Sequence, residues 1–148
     1  YDLSCELRAM RILLLNGPNL DLLGEREPEI YGSRRFEEYI EELRNDFQNA
    51  EFSYFQSNIE GELVERLRNA VDQVDGVVFN PAGYSHTSVA LRDTIAVLKI
   101  PVVEVHISNI HAREEFRHNT ITGATCAGVI TGFGLEGYHM AVEYLISR

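Results

Sequence analysis

Two pairs of residues in the sequence could move protons. Glu104 and His106 stand two apart in PVVEVHIS, so as a strand they project from one face. A carboxylate beside an imidazole orients it and favours its protonated form, which suits a general acid. Arg26 and Tyr31 stand five apart in NGPNLDLLGEREPEIYG, residues 16–32, with Pro28 limiting the chain between them. A free phenol has a pKa of about 10, and ionising it at pH 7 costs roughly 4 kcal/mol. One guanidinium at about 4 Å supplies a comparable amount at an effective dielectric near 20. The second pair can therefore hold a tyrosinate general base. Structural roles fit the same residues: a strand-end histidine bonded to backbone, and a tyrosine packing its loop onto the body.

A second set could hold an anion. Arg113 and Arg117 in HAREEFRHN are four apart, and on a short helical turn they share a face. With His86 they could bind a polar, anionic ligand, or they could pair with Glu114 and Glu115 as a solvated surface. The backbone N–H groups of Ile107 and Ser108, at the end of the same strand as His106, could receive a carboxylate.

Several chemistries are disfavoured. The phosphate-loop string G-x-x-x-x-G-K-[ST] is absent, and GFGLEG at 132–137 reads as a glycine-rich turn into the last helix. No G-x-S-x-G elbow occurs. The third strand ends in Asn80, where a phosphoacceptor domain needs Asp. Cys5 and Cys126 are the only cysteines, without zinc-ligand spacing. Of 13 basic residues all but Lys99 are Arg, which leaves one candidate for Schiff-base chemistry, and it sits at a helix end ahead of the fourth strand. A net charge of −10 argues against nucleic acid and membrane surfaces as partners. No apolar run approaches the roughly 18 residues of a membrane span and no signal peptide is visible, so the cytoplasm is the expected location.

The elements that must position these residues follow from hydrophobic periodicity. Apolar runs predict strands at about 11–16, 51–57, 76–80, 101–108 and 127–132. Segments of 3.6-residue period predict helices at about 33–48, capped by Ser33, then 60–74, 87–98 and 136–147. The first helix would bury Phe36, Tyr39, Ile40, Leu43 and Phe47, and the second Leu63, Leu67, Ala70, Val71 and Val74. Alternating strands and helices imply an α/β fold: a flavodoxin-like, doubly wound parallel five-stranded sheet of order 2-1-3-4-5, with helices on both faces. Residues 10–148 are expected to form a single catalytic domain, with 1–9 an upstream or added segment. Ligands of such sheets bind beyond the carboxyl ends of the strands, near the point where strand order reverses. Three of those ends carry NGPNL, NPAGYSHTS and HISN followed by HAREEFR, all rich in polar side chains. The connection at 16–32 is about three times the usual 2–6 residues. Residues 24–30 are expected to act as a lid that opens for exchange.

NGPNLDLLGEREPEIYG, FQSNIEGELVERL, NPAGYSHTSVALRD and EVHISNIHAREEFR, in this order and spacing, resemble the type II 3-dehydroquinate dehydratases from about Met10 to the C-terminus. The resemblance implies removal of water from 3-dehydroquinate to give 3-dehydroshikimate, in shikimate biosynthesis or quinate catabolism, with neither metal nor organic cofactor. It implies a homododecamer built as a tetramer of trimers. By resemblance Tyr31 is the base, Arg26 holds it as tyrosinate, and Asn19 stabilises an enolate through a bound water. His106 protonates the leaving hydroxyl and Glu104 orients it. Asn80 and the backbone of Ile107 and Ser108 bind the substrate carboxylate. His86 and Arg117 bind ring hydroxyls, Arg113 shapes the site, and Asp93 reaches a neighbouring subunit's site. Asp21 stands where many members have Asn.

Overall fold

The computed structural model describes residues 8–25, Glu29 and residues 34–148. Arg26, Pro28, Tyr31 and Ser33 lie outside the described residues, as does most of the expected lid at 24–30.

A run such as Ile12-Leu13-Leu14-Leu15 has no polar alternation, so as a strand it must be covered on both faces. It forms β1 (Met10–Asn16), and these four residues are fully buried. Ile12 and Leu14 pack with Phe36, Tyr39 and Leu43 of α1 (Phe36–Asp46) and Tyr138 and Val142 of α4 (Glu136–Ile146). Leu13 and Leu15 pack with Leu63 and Leu67 of α2 (Glu60–Ala70) and Leu91 and Ile95 of α3 (Val89–Val97). Two helices therefore cover each face.

The remaining strands are β2 (Ala50–Gln56), β3 (Gly76–Asn80), β4 (Val102–His106) and β5 (Gly128–Thr131). All pairings are parallel, in the order β2-β1-β3-β4-β5. This is the order read from the sequence. It places the reversal between β1 and β3, where Asn16 and Asn80 are in register.

The element ends differ from the sequence reading. β4 stops at His106 rather than Ser108, because the turn after β5 takes over the pairing: Gly132 N–H donates to the His106 carbonyl at 3.2 Å and Gly134 N–H to the Ile107 carbonyl at 3.0 Å. Both glycines have positive φ, at 95° and 61°. GFGLEG is thus a turn into α4, as read. α1 begins at Phe36 with Arg35 at the N-cap position. α2 ends at Ala70, and Val71, expected on its buried stripe, is 37% exposed.

Candidate active site

The carboxyl ends of β1 and β3 meet closely. Gly17 N–H donates to the Asn80 carbonyl at 2.8 Å, and a Cβ on Gly17 would lie 2.5 Å from the Pro81 carbonyl oxygen. Only glycine permits that approach. The chain then turns through Asn19 at φ 68°, whose N–H donates to Asn58 Oδ1 at 2.9 Å. The 3-10 helix that follows (Leu20–Leu22) is not capped by the Asn19 side chain, which leaves that amide for the cleft. Gln56 and Asn58 from the end of β2 thus anchor the NGPN turn; Gln56 Nε2 donates to the Gly17 carbonyl at 3.1 Å.

Beneath the cleft lies a buried polar relay. Tyr138 of α4 is fully buried and donates its hydroxyl proton to Asn16 Oδ1 at 2.7 Å. The Tyr138 hydroxyl oxygen in turn accepts from Asn80 Nδ2 at 3.0 Å. Asn80 Oδ1 accepts from Ala82 N–H at 3.0 Å, so both ends of the Asn80 amide are fixed. Burial pushes the Tyr138 phenol far above its ordinary value, so it stays neutral and available as a donor. Tyr138→Phe would strand two buried polar groups. It should cost about 1–3 kcal/mol, read as a lower urea midpoint with an unchanged slope.

His106 closes β4. Its Nε2 lies 2.8 Å from Oε2 of Glu104, two residues earlier on the same face of the strand. Glu104 is fully buried and His106 is 5% exposed, where His106 borders the cleft. Thr120 Oγ1 donates to Glu104 Oε2 at 2.6 Å, and Thr122 Oγ1 donates to Oε1. Cys126 lies nearby; burial first, and the Glu104 charge second, push its thiol up to about 12. The His86 ring stacks on His106 with centroids 6.2 Å apart, and its Nδ1 lies 2.8 Å from the Asn119 carbonyl. Burial holds His86 below the ordinary histidine value, so it is neutral at pH 7.

His86, His106 and Asn80 line one cleft of about 290 Å³, together with Asn19, Ile107, Ser108, Arg113 and Arg117. The two arginines do not share a helical turn, contrary to the sequence reading. Arg113 is extended, between the 3-10 helices Ile110–Ala112 and Glu115–Arg117. They meet at Glu114 instead: Arg117 Nε is bonded to Glu114 Oε2, and Arg113 Nε lies 4.0 Å from the same oxygen. Among the described residues neither the Ile107 nor the Ser108 N–H donates a hydrogen bond, which leaves two backbone donors at the cleft.

Asp93 does not line this cleft. It lies on α3 beside Arg92, with its side chain 67% exposed. Lys99 falls between α3 and β4, at the opposite edge of the sheet from the cleft. Thr120, Thr122 and Tyr138 went unread in the sequence. The threonines follow the Arg-rich segment without periodicity, and Tyr138 reads as one more apolar helix position. Among the described residues no group of three or more His, Cys, Asp or Glu could hold a metal ion.

Fold and site together define a doubly wound α/β enzyme with its ionisable pair at the switch edge of the sheet. The family described as Dehydroquinase class II matches residues 10–146. The 3-dehydroquinate dehydratase of Bacillus pumilus is 51% identical over 138 residues, covering 92% of this chain and 94% of that one. The protein of the same name from Helicobacter hepaticus is 52% identical over 140 residues, covering 90% and 86%. The crystal structure of type II dehydroquinase from Butyrivibrio crossotus superposes with a TM-score of 0.88 at 44% identity, covering 93% and 97%. This chain belongs to the class II dehydroquinases, a family of hydro-lyases.

Proposed function

We propose that the chain eliminates water from 3-dehydroquinate to give 3-dehydroshikimate, with Tyr31 as base and His106 as acid. The observation that carries this reading is the buried Glu104 carboxylate bonded to His106 at the wall of a cleft lined by Asn, His and Arg. The names of the relatives support the substrate.

The substrate is a cyclic β-hydroxy ketone bearing a carboxylate. Tyr31, held as phenolate by Arg26, takes the proton from the carbon next to the ketone, and the electron pair moves onto the ketone oxygen. Asn19 stabilises that enolate through a water. The enolate collapses, the new C=C forms and the C–O bond to the hydroxyl breaks, in an anti elimination. His106 gives its proton to the departing hydroxyl, which leaves as water. Glu104 keeps the imidazole oriented through its contact with Nε2. Solvent returns the Tyr31 proton to His106 for the next turnover.

The other residues bind. Asn80 and the two backbone N–H groups of Ile107 and Ser108 receive the carboxylate. Their use is supported by the fixed Asn80 amide and the two uncommitted donors. His86 and Arg117 take ring hydroxyls, and Arg113 shapes the wall. Asp93, on an outward surface, reaches the cleft of a neighbouring copy in a dodecamer built as a tetramer of trimers. Exposed apolar side chains such as Val97, Val129 and Phe133 support such contacts. A monomeric mass by light scattering would reject the assembly. The reaction needs no metal or organic cofactor in this reading. It serves shikimate biosynthesis or quinate catabolism, in the cytoplasm.

The product is a conjugated enone that absorbs in the ultraviolet. Purified protein mixed with 3-dehydroquinate should raise that absorbance, unaffected by EDTA or borohydride. No rise at micromolar enzyme would overturn the proposal.

A further inference from the structure

His106 accounts for only one contact of the Glu104 carboxylate. Thr120 Oγ1 donates to Oε2 at 2.6 Å and Thr122 Oγ1 donates to Oε1. Thr120 Oγ1 itself accepts from Gly123 N–H at 3.0 Å, so its proton points outward to the carboxylate. A carboxylate only accepts, through about four lone-pair sites. Three sites are filled here. A carboxylic acid in the same place would have to donate into a threonine oxygen or the ring nitrogen. The arrangement therefore makes the carboxylate an acceptor on every side, and it accepts a hydrogen bond from His106 Nε2. Nδ1 is then the ring nitrogen available to the cleft.

The close approach of the two threonines depends on Gly123. A Cβ there would lie 3.1 Å from Glu104 Oε2 and 2.8 Å from Thr120 Cγ2. The absent side chain lets the 120–123 turn close against the buried carboxylate.

The structure assigns Thr120 and Thr122 a positioning role: they hold Glu104 as the accepting partner of His106 and so fix which ring nitrogen serves the cleft. This rests on the reading of His106 as the acid.

Thr120→Val and Thr122→Val keep the branched shape and remove the donor. Each should lower kcat about 10–100-fold with KM little changed. Thr120→Ser and Thr122→Ser should restore most of it.

A second readout needs no substrate. Nitrogen-15 correlation spectra, assigned with His106→Gln, report which ring nitrogen carries the proton. The wild type should show it on Nε2, and the folded valine variants should show that signal weakened. Folded valine variants with wild-type kcat would overturn the assignment. So would an Nδ1-only proton in the wild type, which decides the matter even if the valine variants do not fold. A wild type with the Nε2 proton but no dehydration would leave the assignment standing and reject the reaction.

Discussion

His106→Ala should lower kcat by about 10²–10⁴-fold, with KM for 3-dehydroquinate close to that of the wild type. Hydroxide is a poor leaving group, and the step from enolate to product needs a proton delivered as the C–O bond breaks. In the proposed mechanism that proton comes from the His106 imidazole, which a buried carboxylate backs at 2.8 Å. His86 cannot replace it: burial keeps that ring neutral, and its Nδ1 is engaged with the Asn119 carbonyl. The groups proposed to bind the carboxylate, Asn80 and the Ile107 and Ser108 N–H donors, are untouched by the change. Steady-state kinetics separates the two constants, and added imidazole should recover part of kcat. A variant with wild-type kcat would remove His106 from the chemistry.

Tyr31→Phe should reduce turnover further, by at least about 10³-fold, because nothing described in the cleft can stand in for a phenolate. Burial pushes the Tyr138 phenol far up, and it serves the asparagine relay. Tyr84 donates its hydroxyl proton to the Asn58 carbonyl at 2.8 Å. The Cys126 thiol is pushed up to about 12. Substrate binding should survive, since the residues assigned to it come from β3, β4 and the loops that follow them. Binding is read from the rise in melting temperature with ligand, and turnover from the enone absorbance. Full activity would reject Tyr31 as the base.

The parts of the site that sit on regular elements were legible in the sequence. Strand alternation alone put Glu104 and His106 on one face, and the run of apolar segments placed the ends of β1, β3 and β4 at one edge. The parts built by irregular chain were not. Thr120 and Thr122 reach Glu104 because a turn with Gly123 at its end folds back, and no periodicity encodes a fold-back. Arg113 and Arg117 have helical spacing, yet Arg113 is extended and Glu114 draws the two guanidiniums together. The Asn16–Tyr138–Asn80 relay joins positions 122 and 58 residues apart. Its members look like two strand-end polar groups and one aromatic core position. β4 ends two residues early because the glycine turn at 132–134 takes the carbonyls that a longer strand would have paired.

The central claim is a division of labour: one group removes the carbon-bound proton and another delivers a proton to the leaving hydroxyl. Incubating each variant with 3-dehydroquinate in heavy water, and measuring deuterium at the carbon next to the ketone, tests it directly. His106→Ala retains the base, so it should form the enolate and wash deuterium into recovered substrate above the uncatalysed rate without making enone. Tyr31→Phe should show no exchange above background. Equal exchange in both variants, or exchange in Tyr31→Phe alone, would contradict the account.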